Sequence, residues 1–251
     1  MAYRALETLR RRFAELDADP LPETESGLAC FASVMGSYTN TSMPEDQAAL
    51  VPADADELAA ECRLLNVIAR DEGGLVSGPL DHERQHWIAT ARHSWPPRRA
   101  HFIEPTSTSP GRRSTKPFNI GMFTSTATRT GKSSWRTYLD LYSGSDLYPL
   151  PWRTWLVRTA GSVLEISSAQ QWADLVQAYP DREAGLIYPR WTDIAKDYDG
   201  VHLTLRAIAS TQGFSFTTPS GSTAPAFWDV ESTFWLRWCV TSADLIDITT
   251  C

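Results

Sequence analysis

Residues Lys116 to Trp135 constrain the fold more than any other stretch. Apolar Ile120, Met122 and Phe123 run into Thr124, Ser125 and Thr126, and Gly131-Lys132-Ser133-Ser134 then leads into a helix-forming segment. A strand that ends in small hydroxyl residues just ahead of a helix gathers hydroxyls and backbone amides at one strand end, which is a common way to build a nucleotide site. The same order of elements suits a phosphate loop, in which backbone amides and a lysine cradle a phosphate. The spacing of such a loop puts its leading glycine at position 126, where this chain has Thr126. No apolar strand ending in a magnesium-binding aspartate follows at the needed interval. The Gly131-Lys-Ser-Ser run is better read as the cap of a helix from Ser134 to Tyr142.

The rest of the chain changes texture near residue 95. Leu6, Leu9, Phe13 and Leu16 recur at helical spacing over residues 3–17, and Leu58, Cys62, Leu65 and Ile68 share one face of a second helix that Asp54 or Asp56 can cap and Gly73-Gly74 stops. Asp81 begins a third helix that reaches His93 and halts before Trp95-Pro96-Pro97. Strands then dominate: Ala100 to Glu104, Ile120 to Thr126, Trp152 to Arg158 paired with Ser162 to Ser167, Val201 to Leu205, Phe234 to Val240 and Leu245 to Ile248. Helices fall between them at residues 134–142, 169–179 and 191–198. The pattern predicts an α+β chain: a mainly helical N-terminal region over residues 1–95, then an α+β catalytic region over 96–251 with a mixed or antiparallel sheet, the two forming separate units or one continuous domain. No internal repeat is visible.

With 251 residues, 42% of them hydrophobic and 21% charged, the chain can bury a core without metal or disulfide. Its net charge of -7 disfavours a protein that coats nucleic acid, which needs a basic surface. One dense cationic stretch stands out: Arg92, Arg98, Arg99, Arg112, Arg113 and Lys116, broken only by Glu104, which reads as a solvated loop or as a contact for an anionic ligand or RNA. Cys30, Cys62, Cys239 and Cys251 are too scattered for a zinc ribbon or a disulfide framework. A reducing cytoplasm suits them. The charged N-terminus and the absence of a long apolar run predict a cytoplasmic protein without a membrane partner.

Two further motifs invite chemistry. His82-Glu83-Arg84-Gln85-His86 sets two histidines four apart, so on a helix both imidazoles would face one zinc ion with Glu83 as base, making the chain a zinc-dependent hydrolase. The polar Arg84-Gln85 between them suits an exposed helix better, the extended pattern lacks its later glycine and histidine, and Glu104 would serve as third ligand only by assumption. Ten tryptophans are the second oddity. Most such rings pack in cores and rims, although Trp228, Trp235 and Trp238 together could make an aromatic face of a non-enzymatic module that binds a protein or a nucleobase.

Gly121-Met-Phe-Thr-Ser-Thr126 resembles the aromatic-Ser-Thr-Ser strand of the ADP-ribosyltransferases, and the resemblance extends over roughly residues 98–240. It implies three stations around NAD, which such enzymes use as a substrate, with no metal. The first is an arginine or histidine on the first core strand, a place that Arg99 or His101 would fill. Thr124, Ser125 and Thr126 form the second, bracing the floor of the pocket, with Phe123 or Trp135 stacking on a base or on nicotinamide and Arg98, Arg99 or Lys116 holding the pyrophosphate. The third is a glutamate entering a later strand, for which Glu231 stands ahead of Asp197 and Asp199, with an insertion between the second and third stations. What the resemblance implies is an ADP-ribosyltransferase or NAD glycohydrolase, of the kind found in toxins and defence enzymes, with a protein or nucleic acid as acceptor. Two simpler roles compete: Glu231 could pair with Arg237, and Asp197-Tyr-Asp-Gly200 could be a turn that leads His202 onto the face opposite Val201 and Leu203.

Overall fold

A computed structural model describes residues 48–49, 80–91, 96–109, 113–117, 119–128, 131–141, 146–205, 207–208, 216–225, 228 and 230–250. The helices expected over 3–17 and up to Ile68 lie outside these residues. What is described is mixed α+β, mostly sheet with few helices. No helix among the described residues is long and apolar enough to cross a membrane.

The strands in chain order are β1 (Ala48–Ala49), β2 (Gln85–Ala89), β3 (Met122–Thr126), β4 (Trp152–Thr159), β5 (Val163–Ile166), β6 (Pro180–Glu183), β7 (Leu186–Pro189), β8 (Gly200–Leu203), β9 (Phe216–Thr218), β10 (Gly221–Thr223), β11 (Ser232–Trp235) and β12 (Val240–Thr249). Three helices interrupt them: α1 (Ser134–Leu141), α2 (Ala169–Ala178) and α3 (Trp191–Asp197). Seven strands form the main sheet in the order β12-β4-β2-β3-β11-β8-β5, and five form a smaller sheet in the order β1-β9-β10-β7-β6. Within the main sheet only β5 and β8 run parallel. The small sheet takes four of its five strands from between β5 and β11, the stretch where the sequence required an insertion.

Three expectations need correction. The segment from Asp81 is a turn and then strand β2, not a helix. Asp81 does accept the Glu83 N–H through Oδ1 at 3.0 Å, and its carbonyl takes the Arg84 N–H at 3.3 Å, so the capping residue closes a tight turn instead of starting a helix. Gln85–Ala89 pairs with β4 along its whole length and with β3 at Gln85 and His86, and this strand pairing outweighs a local helical signal. The Ala100–Glu104 strand is likewise replaced by a short 3-10 turn at Arg99–His101 followed by extended chain. Finally, β5 pairs with β8 and not with β4, whose partners are β2 and β12.

The helices follow their caps. Ser133 Oγ accepts the Arg136 N–H at 3.3 Å to open α1, and Ser168 Oγ accepts the Gln171 N–H at 3.2 Å to open α2. One core lies around Phe234, Trp191, Trp172, Trp228, Val201 and Ile208. A second, smaller cluster of Ile88, Leu139 and Trp152 lies between the sheet and α1. Five tryptophans, at 152, 172, 191, 228 and 235, are fully buried, so Trp228 and Trp235 are core residues and present no aromatic docking face.

Candidate active site

The main sheet is not evenly closed. β2 keeps pairing with β4 along its whole length, from Gln85 opposite Val157 to Ala89 opposite Arg153. With β3 it pairs only at Gln85–Thr126 and His86–Ser125. Beyond that point the two strands part, and a cleft of about 680 Å³ opens with Trp87 and Ile88 on one wall and Gly121, Met122 and Phe123 on the other. Gly121 is required in that wall. Its φ is +62°, and a Cβ there would lie 2.3 Å from the Phe234 ring and 2.4 Å from the Trp235 carbonyl oxygen. Trp135, Phe102, Trp238, Arg98 and His101 are among the other residues that line it.

Glu231 immediately precedes β11 and lies against the β3 residues that pair with β2; it is buried behind the cleft lining and is not part of it. Its Oε2 accepts the Ser125 hydroxyl at 2.9 Å and the Thr126 N–H at 3.0 Å; Oε1 takes the Thr126 hydroxyl at 2.8 Å and faces His202 Nε2 at 2.8 Å. The Thr126 N–H also reaches Oε1 at 3.3 Å, and an oxygen pair ringed in this way by donors is the pattern of a carboxylate, which can only accept. Glu231 has 0% of its surface exposed and Ser125 only 1%.

A directed chain of hydrogen bonds fixes this geometry from one side. The indole of Trp235 can only donate, and it donates to Thr124 Oγ1 at 2.8 Å. Thr124 therefore turns its own hydrogen to Gln85 Oε1, at 2.7 Å, which leaves the Gln85 amide NH₂ to donate to Thr126 Oγ1 at 3.0 Å. Thr126 in turn has only one way to point its hydrogen, at Glu231. From the other side His202 Nδ1 meets Glu165 Oε2 at 2.6 Å, while Glu165 Oε1 accepts the Leu80 N–H at 2.7 Å. Burial of His202 opposes its protonation, but the bonds to Glu165 and Glu231 outweigh it and raise the pKa to about 9. For Glu165, burial pushes the other way but the contact with His202 prevails and lowers its pKa.

His86 is the opposite case on the same sheet. Only 2% exposed, it faces Ser125 across the strand pair, and its Nδ1 has no hydrogen-bond partner among the described residues. Burial first, then the nearby cations Arg136 and Arg84, pull its pKa down to about 4, so the ring is neutral at ordinary pH.

The residues singled out from sequence divide clearly. Glu231, Ser125 and Thr126 meet. Thr124 supports them through Gln85, and Phe123 lines the cleft, stacked on Phe234 at a centroid distance of 4.6 Å. Trp135 also lines it and sends its backbone N–H to Ser125 Oγ at 3.4 Å. His101 stands exposed at the rim, while Arg99 is exposed and paired with Glu104 at 3.0 Å; neither lies on a core strand. Lys116 is buried with its ammonium 5.1 Å from the Phe123 ring centroid, and Arg113 pairs with Asp181 and Glu183. Asp199 holds Arg237 and the Ser162 N–H, and Asp197 accepts the Tyr179 hydroxyl, so neither aspartate joins Ser125, and Glu231 is not the partner of Arg237. His82 sits in the turn with Nδ1 against Thr159 Oγ1 at 2.9 Å, and His86 lies on a strand, so the shared helix face required for zinc is lost. Among the described residues no cluster of histidine, cysteine and carboxylate side chains could hold a metal ion.

Gln85, His86, His202 and Glu165 carry much of this site and were missed or misplaced by sequence reasoning. A signal existed for two of them: a glutamine and a histidine inside an otherwise apolar strand are costly to bury without a purpose. Comparison of the chain with protein-family models, with curated proteins and with solved structures finds no match.

Proposed function

We propose that this chain cleaves NAD at the bond between nicotinamide and ribose, as an ADP-ribosyltransferase or NAD glycohydrolase on an ADP-ribosyltransferase-like fold, with Glu231 as the catalytic carboxylate. The observation that carries the reading is the meeting of Glu231 with Ser125 and Thr126, which lie more than a hundred residues away in the chain. The resemblance noted in the sequence requires this pairing of the hydroxyl strand with a glutamate entering a later strand. The first station passes from Arg99 or His101 to His86. β2 is the first strand of the main sheet in chain order, and His86 stands next to Ser125 with an unsatisfied ring nitrogen.

The cleft suits a dinucleotide fragment in size and character, since small-molecule sites are commonly of about 300–1,000 Å³, mostly apolar, with a few aimed polar groups. Phe123, already stacked on Phe234, and Trp135, stacked on Tyr138, are the rings in the cleft that nicotinamide or adenine would meet, and Arg98 and His101 at the rim suit the pyrophosphate. In the reaction the C1′–N bond breaks and its electrons leave with nicotinamide, which departs neutral and needs no proton. Positive charge grows on the ribose ring, and the Glu231 carboxylate stabilises it. Water, or a nucleophile of a protein or nucleic acid acceptor, then adds to C1′ and loses a proton. Because Glu231 has no exposed surface, the ribose reaches it only after neighbouring side chains shift.

The test is direct. Purified chain incubated with NAD should release nicotinamide, and Glu231→Gln should lower that rate by orders of magnitude with the fold intact. Unchanged release in the variant would remove Glu231 from the role.

A further inference from the structure

We infer that His202, held as an imidazolium between Glu165 and Glu231, is a positioning residue that fixes the orientation of the Glu231 carboxylate. The inference rests on the function proposed above, but its first premise stands on geometry alone. Each ring nitrogen of His202 lies within hydrogen-bonding distance of a different carboxylate, Nδ1 of Glu165 and Nε2 of Glu231. A neutral imidazole has one donor and one acceptor nitrogen, so one of these contacts would set two lone pairs against each other. A ring donating from both nitrogens satisfies both contacts, and that ring is the cation.

The carboxylates hold this cation from opposite sides. Glu165 is itself anchored by the Leu80 N–H, so the ring cannot swing toward it and away from Glu231. On Glu231 the Nε2 donor shares Oε1 with the Thr126 hydroxyl, while Oε2 takes Ser125 and the Thr126 N–H. Removing the His202 donor leaves Oε1 with the Thr126 hydroxyl and the longer 3.3 Å contact to the Thr126 N–H, both from β3, so the carboxylate is held from one side only and its last torsion loosens. Charge is kept as well: two carboxylates against one imidazolium leave a net negative charge, available to a developing ribosyl cation. The titratable groups facing His202 are Glu165 from β5 and Glu231 from the start of β11; β3 contributes no charge, only the Thr126 hydroxyl that shares Oε1. His82, in the turn before β2, lies near Glu165, its ring centroid 6.0 Å from that of Trp235.

The experiment pairs two readouts on the full chain: NMR of labelled histidine across pH, and the pH profile of nicotinamide release. His202 should be doubly protonated at neutral pH and should lose its proton near 9. Glu165→Gln keeps the shape and removes one carboxylate charge, so the His202 midpoint should fall by about one unit or more. The alkaline limb of kcat should move down with it, with little change in KM. His202→Gln, if it folds, should lower kcat on the order of 10²-fold, the cost of a slightly misplaced catalytic group. A purely structural role would lower Tm in both variants and leave the alkaline limb where it was, which would overturn the inference. So would a His202 that is neutral at pH 7 in the wild-type chain. If the wild-type chain releases no nicotinamide, the NAD reading fails by itself. The His202 signals still decide the geometry, because Glu231→Gln must then also lower its midpoint if the ring grips that carboxylate.

Discussion

His202 and His86 are both buried in the same sheet, on β8 and β2 with β3 and β11 between them, yet their chemistry is opposite. His202 has a carboxylate on each ring nitrogen and is held charged; His86 has cations nearby, one nitrogen without a partner among the described residues, and is held neutral. Burial acts against the charged form in both. The difference is therefore set by which groups accept from the ring, and it marks two kinds of buried polar site. Around His202 both carboxylates are held by further donors, Glu165 by the Leu80 N–H and Glu231 by Ser125 and Thr126, although Thr233 across the strand pair leaves its Oγ1 without a partner among the described residues. Around His86, at the last β2–β3 pair, one ring nitrogen has no partner among the described residues, and the next two residues, Trp87 and Ile88, line the cleft.

The largest effect should come from the residue where the two regions meet. Glu231→Gln should reduce nicotinamide release by about 10²–10³-fold, comparable with removal of one strong electrostatic contact to a transition state. It should also lower the His202 midpoint, which loses a direct hydrogen bond, and that of His86 by less, since Glu231 is the weakest of the influences on that ring.

The two histidines should next be visible in stability against pH, with opposite signs. His202 binds its proton more tightly folded than unfolded, so its contribution is complete below about 6.5 and is lost as pH rises toward 9. His86 binds its proton more weakly folded, so its contribution is complete above about 6.5 and is lost as pH falls toward 4. Each limb is on the order of 3 kcal/mol. Urea midpoints measured across pH should pass through a maximum, and His86→Phe should flatten the acid limb alone. A wild-type profile rising steadily through pH 9 would contradict the assignment of His202.

Gly121→Ala should cost roughly 1–3 kcal/mol in chemical denaturation, since the new methyl group collides with β11 and the backbone leaves its favoured region. It would show that the cleft wall is braced by the same strand that carries Glu231. At the bottom of the scale, Arg99→Ala should change stability by less than about 0.5 kcal/mol, because an exposed pair with Glu104 contributes little. A large loss of NAD turnover in this variant would return the first station to the 98–101 segment and away from His86.

The sequence made part of this legible and hid the rest for physical reasons. Helices α1, α2 and α3 lie within a residue or so of their expected bounds, since serine caps and apolar spacing are local signals. Strand β3 and its hydroxyl end were also readable, as was the candidacy of Glu231. The run from Asp81 was not, because an aspartate that closes a turn looks the same in sequence as one that caps a helix. Strand partners were equally hidden: β5 alternates no differently whether it pairs with β4 or β8. The Gln85–Thr126 and His202–Glu165 contacts depend on that long-range pairing, so no window of the sequence contains them.

The central claim is that Glu231, Ser125 and His86 surround the nicotinamide ribose of NAD. The most direct measurement is a crystal structure of the Glu231→Gln chain soaked with NAD. The account predicts the dinucleotide in the cleft between β2 and β3, with the ribose C1′ beside residue 231 and a hydrogen bond to His86. NAD bound elsewhere, or a cleft that stays empty at saturating NAD, would contradict it.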